Sequence, residues 1–285
     1  MSKSNRYALF KLKQVFFHPY TWLIIIVSNI FSILNITEFN KILSSYGLNV
    51  PGSLFMIFLM GNWKYITYGF YLLALLFFSV YYKGSQFEKQ LVLRLGGRNV
   101  LFIGRFLSFS YISFAFFLFI FAMPTLVSFA IGNASMGWGS DILALSQHGE
   151  NKIKMIHPVI QALTENSDYT DYFSPIIVMI IHFVFLYLGL MILILLLDIA
   201  QHFLKSVLWA LILMCIYILF FIFFIEVSEV SFFSLMTLQA NSVIVFKIAS
   251  VSEMYIPYGY STSFFGIVLL FLLTLSYWKE RYSYI

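Results

Sequence analysis

The stretch PIIVMIIHFVFLYLGLMILILLLD, residues 175–198, holds no charged side chain until its last position and decides the fold class. A helix needs ~20 consecutive apolar residues to cross hydrocarbon, and this run passes that length. Five further runs lie around it, at 21–36, 66–82, 106–131, 203–225 and 261–278. Those at 106–131 and 203–225 are also long enough; the other three are expected to borrow flanking residues. Composition agrees, because 61% hydrophobic and 10% charged residues cannot cover a water-facing surface, which takes roughly 25% or more of charged residues. The expected fold is an all-α polytopic membrane protein of six transmembrane helices.

The distribution of charge predicts the orientation. With the amino terminus inside, the cytoplasmic segments hold twelve of the 17 Lys and Arg residues but only Glu88, Asp198 and Glu280 among the acids. The opposite side holds five lysines and nine acids. This Lys/Arg bias predicts cytoplasmic termini in a multi-pass cell-membrane protein, and it explains the basic pI of about 9.1 without any nucleic-acid partner. Trp22, Trp63 and Trp278 fall at span ends, with Trp138 and Trp209 a few residues away; all five read as headgroup anchors. The single Cys215 lies inside the fifth run and reads as a packing residue. The first run lacks a small-residue cleavage pattern behind it and is expected to stay in the mature protein.

Residues 1–19 form a basic, aromatic arm that stops at Pro19. It reads either as an amphipathic helix along the inner headgroups or as a plain positive flank that orients the first span. The remaining 20–285 form the transmembrane domain, with outer loops at 37–65, 132–172 and 226–260. In the first of these, 54–60 is apolar but too short to cross, which suits a re-entrant or interfacial piece. Glycines at 47 and 52 mimic phosphate-loop spacing, yet no lysine follows them. Pro124 is expected to bend the third span. The fourth and fifth spans, joined only by 199–202, should form a tight hairpin. Asp198 and His202 stand i,i+4 there, as a helix-end polar pair or two of the ligands a metal needs. The stretch 226–260 reads as a re-entrant hairpin or a surface loop.

The inner loop 83–105 carries the most information. On a helix, Phe87, Leu91, Val92 and Leu95 share one sector, Gln86, Lys89 and Gln90 lie opposite, and Arg94 sits at the edge. Glu88 falls inside the apolar sector, where it meets a cation on another surface or pairs with a neighbouring base. Gly96 and Gly97 end the helix. The spans themselves show little chemistry. His182 has no carboxylate at i±3 or i±4, and no His-Glu-x-x-His or Gly-x-Ser-x-Gly pattern occurs. No metal site or cofactor is expected in the chain, and it is not expected to be an enzyme. Bare spans also argue against an ion-coupled carrier, which needs ligands near the midplane.

The arm 6–18, the long outer connection, the sequence FFSVYYKGSQFEK at 77–89 and a basic return to the membrane at Arg98 and Arg105 resemble the permease subunits of type-2 ABC exporters. The resemblance covers the six-span layout. It implies a cytoplasmic coupling helix bearing a glutamate that docks on a separate ATPase. Carried over, Glu88 is that glutamate, and Gln86, Phe87, Lys89, Leu91, Arg94 and Leu95 belong to the docking surface. ATP and Mg would then sit on the partner ATPase, and a second permease would complete the assembly. The chain departs from the family at 95–99, LGGRN, where a small residue and a proline are usual. The expected function is export of amphipathic or hydrophobic cargo, peptide favoured, with Glu226 and Glu229 at the outer mouth. A membrane enzyme acting on lipid, or a non-transporting scaffold or immunity protein, stands as the alternative.

Overall fold

A computed structural model describes residues 2–45, 47–48, 50–62, 64–81, 97–132, 138, 174–226, 238, 241 and 258–282. Every element among them is helical: α1 Lys3–Phe16, α2 Pro19–Ser45, α3 Gly52–Gly61, a π-helix Tyr65–Leu72, α4 Leu73–Tyr81, α5 Arg98–Ile131, α6 Pro175–Leu204, α7 Val207–Glu226 and α8 Tyr258–Tyr282. Four of these, α2, α5, α6 and α8, are long and apolar enough to cross a membrane. A fifth crossing would be the pair of α3 with the continuous Tyr65–Tyr81 stretch, whose axes differ by 83°.

Helix α6 is the centre of the bundle. Of its most apolar window 61% is buried, against 28%, 33% and 22% for α2, α5 and α8. The others leave Ile26, Ile30, Phe114, Leu118, Ile267 and Leu270 exposed, which is the pattern of an outer ring whose solvent is hydrocarbon. Close approach to α6 depends on Gly189, because a Cβ there would fall 2.0 Å from the hydroxyl of the buried Tyr71.

The short apolar piece at 54–60 does not cross by itself. It is the core of α3, a helix buried at every position from Gly52 to Met60. Ten residues rise only ~15 Å, half of the hydrocarbon thickness. Its start lies against the end of α5, where a Cβ on Gly52 would come 2.8 Å from Phe129 Cα. Phe39 of α2 stacks on Phe58 at 3.7 Å between centroids and meets Phe55 edge-on. The chain then turns and runs back along α2. Asn62 Nδ2 donates to Asn35 Oδ1 at 3.0 Å, Tyr65 shares a 2.8 Å hydrogen bond with Ser32, and Ser28 Oγ donates to Gly69 O at 2.8 Å. The last bond supplies a donor to a carbonyl within the wide π turn, whose ladder is poorer than that of an α-helix.

Several expectations change in detail. The fourth-to-fifth connection at 199–202 is helical, and the turn falls instead at Lys205, in the left-handed region at φ 53, and Ser206. The apolar run carries α6 past Asp198, so the helix ends only where Lys205 can place its charge at the negative helix terminus. Trp138 is not a headgroup anchor: it is buried with the core residues, whereas Trp22, Trp209 and Trp278 are exposed. Pro124 lies within α5, which continues to Ile131. The coupling segment 86–95 and Glu229 lie outside the described residues, and Glu226 is the last residue of α7.

Candidate functional site

Helix α1 does not simply lie on lipid; it runs beside α5 in the same direction. Ser4 Oγ donates to Val100 O at 3.1 Å, Tyr7 packs on Gly104, and Phe16 meets Phe119 at 5.5 Å. Contacts that advance together along both helices define parallel packing. The buried face is Ser4, Tyr7, Ala8, Lys11 and Val15, the i, i+3, i+4 spacing of one helical stripe. Lys11, the charged member, is 2% exposed, and its ammonium lies 4.7 Å over the Tyr81 ring. Such a contact offsets part of the desolvation of the charge. Tyr81 Oη in turn lies 3.4 Å from Tyr7 Oη and 3.2 Å from Ser108 Oγ. The end of α4, the arm and the start of α5 are thereby tied at one end of the bundle.

At that same end sits a cluster of charge that the one-dimensional reading counted but did not assemble. Arg105 of α5 pairs with Glu280 of α8, and Lys279 of α8 pairs with Asp198 of α6. Lys279 also lies 3.7 Å from Glu280, so two cations and two carboxylates form one linked group. Side-chain exposure is 16% for Arg105 and 8% or less for the other three. Three helices far apart in sequence are therefore joined through buried ions. Asp198 faces α8 rather than standing as one half of a metal site with His202, and no group of three metal-capable side chains occurs among the described residues. Beside the cluster, Asn99, Phe102, Tyr277, Glu280 and Arg281 line a polar cleft of about 310 Å³.

The larger concavity is apolar. A groove of about 910 Å³ runs along α5, with Leu9 and Leu12 of α1 on one side and Phe183 of α6 on the other. Phe114, Leu118 and Leu126 form its exposed floor. His182 is buried in the core, its ring 5.7 Å from that of Phe185.

Of the residues expected to form the coupling surface, Gln86, Phe87, Glu88, Lys89, Leu91, Arg94 and Leu95 all lie outside the described region. What sequence reasoning missed is the pairing of Arg105, Asp198, Lys279 and Glu280. The available signal was charge at the ends of three apolar runs, Arg105 before 106–131, Asp198 closing 175–198 and Lys279 with Glu280 after 261–278, which charge counting treats only as topology markers. Comparison of the chain with family models, with curated proteins and with solved structures finds no match.

Proposed function

We propose that this chain is the transmembrane permease subunit of an ATP-driven exporter of the type-2 ABC kind, moving amphipathic or hydrophobic cargo, with peptide first, out of the cytoplasm. A separate cytoplasmic ATPase subunit binds ATP and Mg and supplies the energy. In this reading the bent α3–α4 pair and α7 complete six crossings, both termini are cytoplasmic, and a second permease completes the pore.

The observation that carries the reading is the place from which the inner loop leaves and to which it returns. Helix α4 ends at Tyr81 against Tyr7 and Ser108, and α5 begins at Arg98, at the end where the arm and the buried ions gather. A partner pressing on residues 83–97 would act on α5 directly. Arg105 would pass that force to α8, and Lys279 would pass it on to α6 through Asp198. Buried ion pairs suit this task because they are lost in a step rather than stretched by degrees. Among the described residues the span interiors hold His182 but no carboxylate beside it in sequence to couple an ion gradient, which favours a driving force supplied by a partner.

The test is efflux. The chain, co-reconstituted with the ATPase that accompanies it, should expel a fluorescent amphipathic peptide from vesicles when ATP and Mg are supplied. Equal efflux with a non-hydrolysable nucleotide, or lipid turnover by the chain alone, would overturn the proposal.

A further inference from the structure

We infer that the groove beside α5 is a binding site for an anionic phospholipid, its acyl chains along the floor and its phosphate against Arg6 and Lys13. The apolar part follows from shape. The stretch Tyr111–Leu126 rises roughly 22 Å along its helix, against ~15 Å for the hydrocarbon of one leaflet. The slot is long enough for a whole acyl chain, and its volume of about 910 Å³ lies in the range of enclosed small-molecule sites. Its lining is apolar except for Tyr111 and Thr125, and both hydroxyls are already engaged, with Asn5 Oδ1 at 3.1 Å and Met56 Sδ at 3.8 Å. A polar chain laid in this slot would find no partner for its backbone, whereas an acyl tail needs none.

Charge selects the headgroup. Leu9 is on the groove wall; Arg6 and Lys13 stand at i−3 and i+4 from it, so the three share a strip of α1. Both basic residues are exposed, unlike Lys11 on the buried face. Lys3 extends the same exposed side toward the amino terminus. A phosphodiester with an anionic headgroup pairs with this basic strip beside Leu9; a zwitterionic one carries its own cation to the same place and gains less.

Only the leaflet that supplies the lipid rests on the topology proposed above. The site itself does not depend on transport, and the test uses neither orientation nor an ATPase. The full chain is purified in a mild detergent, exposed to equal phosphatidylglycerol and phosphatidylcholine, and its retained lipid is weighed by native mass spectrometry. Expected is one phosphatidylglycerol held through delipidation by the wild type. Arg6→Ala with Lys13→Ala should weaken its retention about thirtyfold, at roughly fivefold for each basic residue near a membrane surface. Leu118→Trp, which fills the floor from an exposed position, should abolish it without unfolding the protein. As a second readout, phosphatidylglycerol brominated on its tails should quench wild-type tryptophan emission more than that of Trp22→Phe, since Trp22 touches the groove residue Phe119 at 5.3 Å between rings. Equal retention of the two lipids, unchanged retention in both variants, or a lipid-free dimer that Leu118→Trp dissociates would each overturn the assignment.

Discussion

The buried ion cluster gives the sharpest test of the fold. Asp198→Ala removes one of two carboxylates from a group of two cations and two anions, leaving Lys279, 8% exposed at its side chain, without its closest counter-ion. Removing one partner of a buried pair costs about 3–5 kcal/mol, because the remaining charge stays desolvated. Glu280 lies 3.7 Å from the same ammonium but already serves Arg105, so it offsets only part of the loss. The expected cost is therefore ~3 kcal/mol, on the order of a hundredfold in the unfolding equilibrium. Replacing both partners, Asp198→Leu with Lys279→Met, leaves Arg105 and Glu280 paired and should return stability to within ~1 kcal/mol of wild type. The assay is reversible unfolding of the purified chain in mixed micelles, scored as a double-mutant cycle. An Asp198→Ala cost below ~0.5 kcal/mol, the range of a surface substitution, would refute the buried cluster. So would a double variant as unstable as the sum of its parts.

Further outcomes follow from other contacts. Gly189→Ala should destabilise by about 1–3 kcal/mol through overpacking on the Tyr71 hydroxyl, and Tyr71→Phe should recover part of it; this is measured in the same unfolding assay. Ser140→Cys should react with an impermeant reagent on intact cells and Lys3→Cys, at an exposed position of α1, should react only after the cells are opened, if the Lys/Arg bias sets the topology. On the permease proposal, Phe87→Ala or Leu91→Ala should weaken association with the partner ATPase by about ten- to a hundredfold in pull-down, with membrane insertion unchanged. Alanine at both Glu226 and Glu229 should alter export of cationic cargo more than of neutral cargo, measured as efflux from vesicles.

The apolar runs made the long helices legible, since a stretch such as 106–131 has one low-energy fate in hydrocarbon. Their ends were less legible. Helix α2 reaches Ser45 rather than stopping near residue 36, because Phe39 and Leu43 find buried places against the bundle and carry the helix through Glu38 and Lys41. Sequence length alone could say that 54–60 does not cross, but not that α3 is buried on all sides by α2, α5 and α6. That depends on contacts such as Gly52 against Phe129, which have no local signature. The charge cluster was hidden for the same reason. Arg105 and Glu280 are 175 residues apart, and each alone looks like a boundary marker at the end of a span. The groove needs three helices to exist, so no single stretch announces it.

The most direct test of the proposed function is the composition of the complex in which the chain travels. Tagged at its carboxyl terminus and purified from its native membrane in a mild detergent, it should bring down a stoichiometric ATP-binding-cassette ATPase. The preparation should hydrolyse ATP with Mg, and Glu88→Arg should remove both the partner and the activity by setting like charges against each other. A chain that purifies without any ATPase, or a Glu88→Arg protein that retains full association and hydrolysis, would contradict the permease reading at its foundation.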